Sequence, residues 1–409
     1  MIERAILPVI NELFGLKPVI LITGARQVGK TTLCGMIRKE YDIKYVTLAD
    51  SNERMLARTD PEMFIRTHGY PLIIDEVQYA PGLLETVESI VDRERLNDPE
   101  VHGLFILTGS QKYRLMEGIS QSMSGRVGIV DIPAISISEE YGLHENPFTV
   151  DPVSSFERVP LIDDGMNMYS RIIRGMYPEI MTKKRLSPQR FYSDYVDTYI
   201  MRDVSEIVNV KDRQRFRSFM EIVASYTGQV LVYESISKVV GIDLKTVKSW
   251  LSVLEAGDII TLLEPYSDRS VTKRVAKRPK LYMKDTGLAC YLAKIPDERI
   301  LMSSYLKGPM TETFIINEIM KTHQNKGLET PFFYYRDSNG NEVDLVMLYD
   351  GKLNMVECKS GISFGSSDIK AFGRLATTLE KIGCIVCLTE TPYPITKNEY
   401  AIPLKTVGY

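Results

Sequence analysis

The chain has 409 residues, enough for two or three domains that each bury a core, so a single small binding module is excluded. Apolar residues at 44% and charged ones at 25% exclude wholesale disorder, and 50 basic against 53 acidic residues leave a formal charge of -3, so any hold on nucleic acid must be a local patch. No apolar run approaches the roughly 18 residues of a membrane span, and Met1-Ile2-Glu3-Arg4 lacks the pattern of a secretory signal, so a cytoplasmic protein with no membrane partner is expected.

From Pro18 to about Pro133, short apolar runs (Val19-Ile22, Tyr45-Leu48, Leu72-Ile74, Leu104-Leu107, Val127-Ile132) alternate with segments of helical pattern, the mark of an α/β parallel sheet. Between the first strand and a helix expected over Thr32 to Tyr41 stands Gly24-Ala25-Arg26-Gln27-Val28-Gly29-Lys30-Thr31, which fits GxxxxGK[ST]. Its glycines turn backbone N–H groups toward phosphates, Lys30 reaches the β- and γ-phosphates, and Thr31, followed by Thr32, offers a hydroxyl to Mg²⁺. The bland alternative is a glycine turn before a helix. Leu72-Ile73-Ile74-Asp75-Glu76 is an apolar strand ending in two acids, so Asp75 is the candidate metal carboxylate and Glu76 the candidate activator of water. Thr108 and Ser110, in Leu107-Thr108-Gly109-Ser110, are either γ-phosphate sensors at the carboxyl edge of the sheet or ordinary turn residues. Arg126, in Ser124-Gly125-Arg126, is either an arginine finger or a solvated surface arginine.

The order GARQVGKT, LIIDEVQ, LTGS and SGR resembles the AAA-type ATPase module of a widespread prokaryotic family of P-loop proteins, related to the STAND and origin-recognition ATPases. The resemblance continues through Gly175-Met176-Tyr177-Pro178-Glu179, Tyr199-Ile200-Met201-Arg202-Asp203 and Lys280-Leu281-Tyr282-Met283-Lys284-Asp285-Thr286-Gly287. It implies bound ATP with Mg²⁺. Met176 stands where that family usually has a second glycine, so no tight backbone role is expected there.

After Glu139 the pattern turns to polar helices, with loops at Asp151-Pro152 and Asp163-Asp164-Gly165 and a long helical stretch from Pro188. Tyr233 to Val240, Gly241, then Asp243 to Glu255 has helix-turn-helix spacing, with Asp243 as N-cap. Leu244, Val247, Leu251 and Leu254 form one apolar stripe, Lys245, Lys248, Ser249 and Ser252 lie on other faces, and Trp250 is assigned to the core. A strand at Ile259 to Leu263 precedes Arg269, Lys273, Arg274, Lys277, Arg278 and Lys280, a candidate basic wing for phosphate. Such a winged helix would make DNA, ahead of RNA, a partner, yet winged helices also dock proteins and charge runs also serve as solvated loops.

Near the C-terminus the order is helix, three strands, helix, strand. Thr311 to Thr322 looks helical, with Glu312 turned inward beside Ile315, Ile316 and Ile319; Glu318 on the same helix is the competing choice, and is expected on the exposed face. Glu342 to Leu348 and Lys352 to Lys359 flank Asp350-Gly351, a strong hairpin signal. With those two residues as the loop, Asp344 falls opposite Glu357 and Glu342 opposite Lys359 on one face. Like charges directly opposed destabilise a sheet, and a bound cation resolves that conflict, so Glu312, Asp344 and Glu357 are candidate ligands of Mg²⁺ or Mn²⁺ and Lys359 is the candidate that orients or deprotonates water. This constellation resembles the PD-(D/E)XK nuclease superfamily. Cys384 and Cys387 are three apart in a predicted strand and so point to opposite faces; five cysteines in all point to a reducing compartment and no disulfide framework.

The expected fold class is therefore α/β: a P-loop parallel sheet (1–138), a helical lid or linker (139–214), a winged-helix domain (215–304) and a restriction-endonuclease-like α/β domain (305–409). The expected function is an ATP-binding and ATP-hydrolysing protein that engages nucleic acid and carries a metal-dependent nuclease-like domain. The alternative is a nucleotide-dependent switch or scaffold whose nuclease-like domain binds a protein partner and cuts nothing. Homo-oligomerisation would be required for an arginine finger acting in trans.

Overall fold

The computed structural model describes residues 2–109, 123, 125–150, 167–201, 213–267 and 278–408. Ser110, Ser124, the Asp151-Pro152 and Asp163-Asp164-Gly165 loops, Arg202-Asp203 and four residues of the basic run, Arg269, Lys273, Arg274 and Lys277, lie outside them. Two compact units result, one of Glu3–Ala134 with Gln324–Gly327 and one of the remainder. No helix of the described residues is long and apolar enough to cross a membrane.

The first unit holds a five-stranded, all-parallel sheet in the order β2-β3-β4-β1-β5. Its strands are β1 (Val19–Thr23), β2 (Lys44–Thr47), β3 (Leu72–Asp75), β4 (Phe105–Thr108) and β5 (Val127–Asp131). The three inner strands, VILIT, LIID and FILT, are buried at every position, whereas the edge strands β2 and β5 alternate. Helices on both faces demand continuous apolar runs of the inner strands and only half-patterns at the edges. Because all five strands run the same way, the ends of β1, β3 and β4 meet at one carboxyl edge.

The second unit combines helices with two sheets. Helix α10 (Arg213–Ser225), strand β6 (Gln229–Val230), helices α11 (Tyr233–Val240) and α12 (Leu244–Ala256), and strands β7 (Ile260–Leu263) and β8 (Lys280–Met283) form a helix-turn-helix backed by a three-stranded antiparallel sheet, order β6-β8-β7. Ahead of α10 lie α6 (Ile137–Tyr141), α7 (Met168–Arg174), α8 (Pro178–Thr182) and α9 (Pro188–Tyr195). Gly241 takes a left-handed turn between α11 and α12, and the Asp243 side chain caps α12 by accepting from the Thr246 N–H. Val247, Leu251 and Leu254 are buried, as is Trp250, edge-on to Phe216 and Phe219 of α10. Leu244 departs from the predicted stripe: it is the first residue of its helix and stays 43% exposed.

Following α13 (Thr286–Leu292) and α14 (Glu298–Ser303), the long helix α15 (Lys307–Gln324) leads into a six-stranded mixed sheet, order β13-β14-β12-β11-β10-β9. These are β9 (Phe332–Arg336), β10 (Glu342–Tyr349), β11 (Lys352–Cys358), β12 (Lys381–Cys387), β13 (Tyr393–Pro394) and β14 (Glu399–Pro403), with α16 (Lys370–Arg374) before β12. Asp350 and Gly351 both have positive φ, the geometry of a two-residue hairpin turn, and Tyr349 pairs with Lys352 as the register requires. All five cysteines are buried and free.

Gly175 and Asp285 explain two sequence motifs at once. Gly175 sits at φ 73° and ψ -174°, where a Cβ would lie 2.0 Å from the Tyr192 hydroxyl and 2.6 Å from an Asp285 oxygen. Asp285 caps α13, accepting from Leu288 N–H, and also takes the Tyr192 hydroxyl and the Met176 N–H. The backbone at Met176 is thus held tightly after all. Only Gly175 needs φ > 0, so a side chain at 176 is tolerated while its N–H remains committed.

Candidate functional site

The P-loop spans the turn from β1 into helix α2 (Lys30–Glu40). Gly24 adopts φ 137° with Ile132 O only 2.5 Å from where a Cβ would be, and Gly29 opens the helix at φ 99°. Neither position suits an L side chain. The helix begins at Lys30, two residues before the predicted start, which places Lys30, Thr31 and Thr32 in its first turn. The Lys30 ammonium donates to the carbonyls of Gly24 (2.9 Å) and Ala25 (2.7 Å) and is 6% exposed. Burial lowers its pKa to about 8 against the opposing pull of Glu76. Arg26 and Gln27 occupy the loop's outer turn, Gln27 at φ 63°, and Val28 packs inward.

Asp75, at the end of β3, gathers three hydroxyls. Thr31 Oγ1 donates to its Oδ2 at 3.0 Å, Tyr45 Oη donates to the same oxygen at 2.7 Å, and Thr108 donates to Oδ1. Thr108 is fully buried and also accepts the Glu76 N–H, so the structure turns its hydroxyl to the Asp75 carboxylate rather than outward to a phosphate. Glu76 follows in a left-handed conformation, φ 60°, with the Gln78 amide donating to its carboxylate. Lys30, Thr31, Asp75, Glu76 and Thr108 are thereby brought together at one edge.

Arg126 is not. It precedes β5, whose Val127 pairs with Val19 at the start of β1, so it lies at the edge of the sheet opposite the P-loop. There it bonds Asp92 (2.6 Å and 2.8 Å) and reaches Glu88 at 3.3 Å, both on helix α5 (Leu83–Asn97). A role toward the γ-phosphate of its own chain has no support in this geometry.

Two residues escaped the sequence reading. Tyr45 is invisible without the strand order, because only the adjacency of β2 and β3 points it at Asp75. Arg4, 4% exposed, donates to Val28 O and Pro133 O, each at 2.7 Å, tying the P-loop to the end of β5. Nothing in its local sequence marks it.

The C-terminal acids meet differently from expectation. The β10–β11 ladder runs to Leu345 opposite Val356, and Asp344 Oδ2 then accepts the Cys358 N–H at 2.9 Å. A register shift between β9 and β10 separates Val343 from Val346, which both enter one apolar core although three residues apart. On its β9 side Glu342 pairs with Arg336. Lys359 instead bonds Glu357 Oε1 at 2.6 Å, leaving Glu357 Oε2 buried without a hydrogen-bond partner. Glu342, Glu312 and Asp344 all receive Lys280, at 2.5, 2.7 and 3.3 Å. Lys280 is thus no wing residue facing phosphate: it is 2% exposed in the inner strand β8. Arg278, the other described member of the basic run, pairs with Glu234 at 3.1 Å.

Burial, reinforced by Asp344, raises the Glu312 pKa to about 7 despite Lys280. The same two causes push Glu357 well above the carboxylate range. Glu318 also corrects the sequence reading. It is buried, bonds Lys321 at 2.6 Å and accepts the Ile137 N–H, because α15 is covered on that side as well. Among the described residues no group of three or more His, Cys, Asp or Glu is placed to hold a metal ion.

Residues 16–141 match the AAA domain family, and the site just described makes this part of the chain a P-loop ATPase domain of the AAA type. Residues 167–299 and 307–407 match two domains of unknown function, DUF8612 and DUF4143. Similar relatives are uncharacterized proteins of Mycobacterium tuberculosis and Mycobacterium bovis, each 24% identical over 389 residues, covering 94% of this chain and 80% of the relative. Similar solved structures include a Walker-type ATPase of Pyrococcus abyssi (TM-score 0.45, 14% identity, 71% of this chain and 96% of that one). Another is the RuvB Holliday junction branch migration motor of Thermotoga maritima (TM-score 0.31, 15% identity, 63% and 88%).

Proposed function

We propose that this protein is an ATP-hydrolysing switch: Mg²⁺-ATP bound at the P-loop sets the state of a second unit that engages nucleic acid, DNA ahead of RNA, through a winged helix. The observation that carries the reading is the Thr31 hydroxyl on the Asp75 carboxylate, 3.0 Å, beside Lys30. Lys30 would hold the β- and γ-phosphates, Thr31 and Asp75 the Mg²⁺, and Glu76 would orient and deprotonate the attacking water. Backbone N–H groups from Gly24 to Thr32 would cradle the phosphates. The winged-helix reading draws on the order helix, strand, two helices, two strands and on the exposed Lys245 and Lys248 of α12.

The test separates binding from turnover. Lys30→Ala should abolish ATP binding measured by calorimetry, whereas Glu76→Gln should keep binding and lose phosphate release. Wild-type affinity in Lys30→Ala would sink the P-loop assignment.

A second reading, a metal-dependent PD-(D/E)XK nuclease with Glu312, Asp344, Glu357 and Lys359 as its site, draws on the unpartnered Glu357 Oε2 beside Asp344. Against it stands Lys280 among those acids, which favours a nuclease-like domain kept for binding a partner. Cleavage of DNA or RNA with Mg²⁺ or Mn²⁺ that disappears in Asp344→Ala would reverse that preference.

A further inference from the structure

Strand β8 presents two polar side chains at period two to the acids of α15 and β10. The Tyr282 hydroxyl donates to Glu312 Oε1 at 2.6 Å, and Lys280, two residues earlier, reaches Glu312, Glu342 and Asp344. An ammonium with 2% exposure is tolerable only when several anions surround it, and here three do. The acids need the lysine equally, since Glu342 and Asp344 lie on the same strand and Glu312 faces them from the helix. Asp344 has its second oxygen on the Cys358 N–H, so both of its oxygens are engaged. What the cluster leaves open is Glu357 Oε2, on a residue 9% exposed, with no hydrogen-bond partner.

The residues that the nuclease-like resemblance would assign to a metal therefore do not fit one in this arrangement. Glu312 and Asp344 already share the Lys280 ammonium with Glu342, Glu357 holds Lys359, and a metal ion would have to take the place that the Lys280 ammonium occupies. We propose that Lys280 is the resident cation of the acid cluster: the helix-turn-helix region inserts a lysine where a divalent metal would sit, and a metal site is latent beneath it. The lysine joins the two sheets by ion pairs, and Glu312, Asp344 and Glu357 become available to a metal only when β8 withdraws or the ammonium is removed. The inference rests on the switch reading of the second unit, but its readout is metal binding and not ATP turnover, so either can fail alone.

The experiment is Mn²⁺ binding to the full chain without nucleotide, followed by electron paramagnetic resonance. Wild type should show no Mn²⁺ that depends on Asp344. Lys280→Met, which keeps the length of the chain and removes its charge, should gain one site about tenfold or more tighter than any in wild type. That site should vanish in Lys280→Met with Asp344→Asn. A folded Lys280→Met that binds no more Mn²⁺ than wild type overturns the proposal, as does an Asp344-dependent site already present in wild type.

Should Lys280→Met fail to fold, wild type supplies an independent readout. Lys280 should resist an amine-reactive reagent equally with and without millimolar Mn²⁺, as read by mass spectrometry. Labelling of Lys280 that Mn²⁺ induces would mean that the metal displaces the ammonium, and would overturn the proposal.

Discussion

Lys30 shows how one buried charge ties chemistry to pH. With its pKa lowered to about 8 by burial, it is mostly protonated at neutral pH and loses its proton as pH rises through that value. A triphosphate selects the protonated form and raises the pKa in the complex. ATP affinity should therefore be flat below about pH 7.5 and fall by up to ~tenfold per unit above pH 8, with proton uptake on binding in the same range. Calorimetry in two buffers of different ionisation enthalpy from about pH 7 to 9.5 checks this. Pure electrostatic screening by salt would give no proton uptake. At Asp75, Tyr45 offers a cleaner substitution. Tyr45→Phe removes one donor from Oδ2 while Thr31 and Thr108 remain. Turnover at limiting Mg²⁺ should drop roughly tenfold and the Mg²⁺ requirement should rise, whereas nucleotide binding in chelator should not change. An equal loss with and without metal would place Tyr45 in folding instead. Arg126, ion-paired on the far edge, should behave as a clamp on α5. Its partners are partly exposed, so Arg126→Ala should cost only about 1 kcal/mol in a urea titration and leave turnover per molecule intact. Turnover that collapses in Arg126→Ala, and that depends on concentration in wild type, would instead identify a finger acting between copies.

Elements reveal what a sequence can and cannot carry. The P-loop, the strand ending in Asp75-Glu76, the helix-turn-helix and the hairpin at Asp350-Gly351 were legible because each is a local pattern whose physics acts within about ten residues. Tyr45, Arg4 and Lys280 were not, because each owes its role to a partner brought close by strand order or by packing between sheets. Lys280 was misplaced for a specific reason. It ends a basic run, and nothing local separates a lysine of a solvated loop from the first residue of the strand that follows. The hairpin register was right over its whole paired length, Leu345 opposite Val356 to Tyr349 opposite Lys352, whereas the partner of Glu342 was not legible, because Lys280 arrives from another sheet. Gly175 and Gly241 permit a test at this scale. Both have positive φ, but a Cβ at Gly241 meets nothing within 4 Å, while one at Gly175 meets Tyr192 and Asp285. Gly241→Ala should cost about 1 kcal/mol from backbone strain alone. Gly175→Ala should cost about 2 kcal/mol more, because it adds a steric clash inside a buried hydrogen-bonded cluster. Equal urea midpoints for the two would refute the assignment of Gly175 as the junction between its loop and α13.

At the scale of the whole molecule, the nucleotide residues fall in one compact unit and the helix-turn-helix and acid cluster in the other. A switch needs a free energy that couples them, and any such coupling is reciprocal. If ATP tightens duplex binding by some factor, the duplex must tighten ATP binding by the same factor, a few-fold to about a hundredfold for coupling of 1–3 kcal/mol. Glu76→Gln is the form to use, because it should hold ATP without consuming it. Fluorescence anisotropy of a labelled duplex with and without ATP, and ATP titrations with and without that duplex, give the two factors independently. Reversing charge at Lys245 and Lys248, both exposed on α12, should weaken the duplex and leave the ATP affinity of the free protein as it was. Equal factors greater than one support the switch. Factors of one, with both ligands still bound, would mean that the units act independently and that ATP turnover serves something other than the hold on nucleic acid.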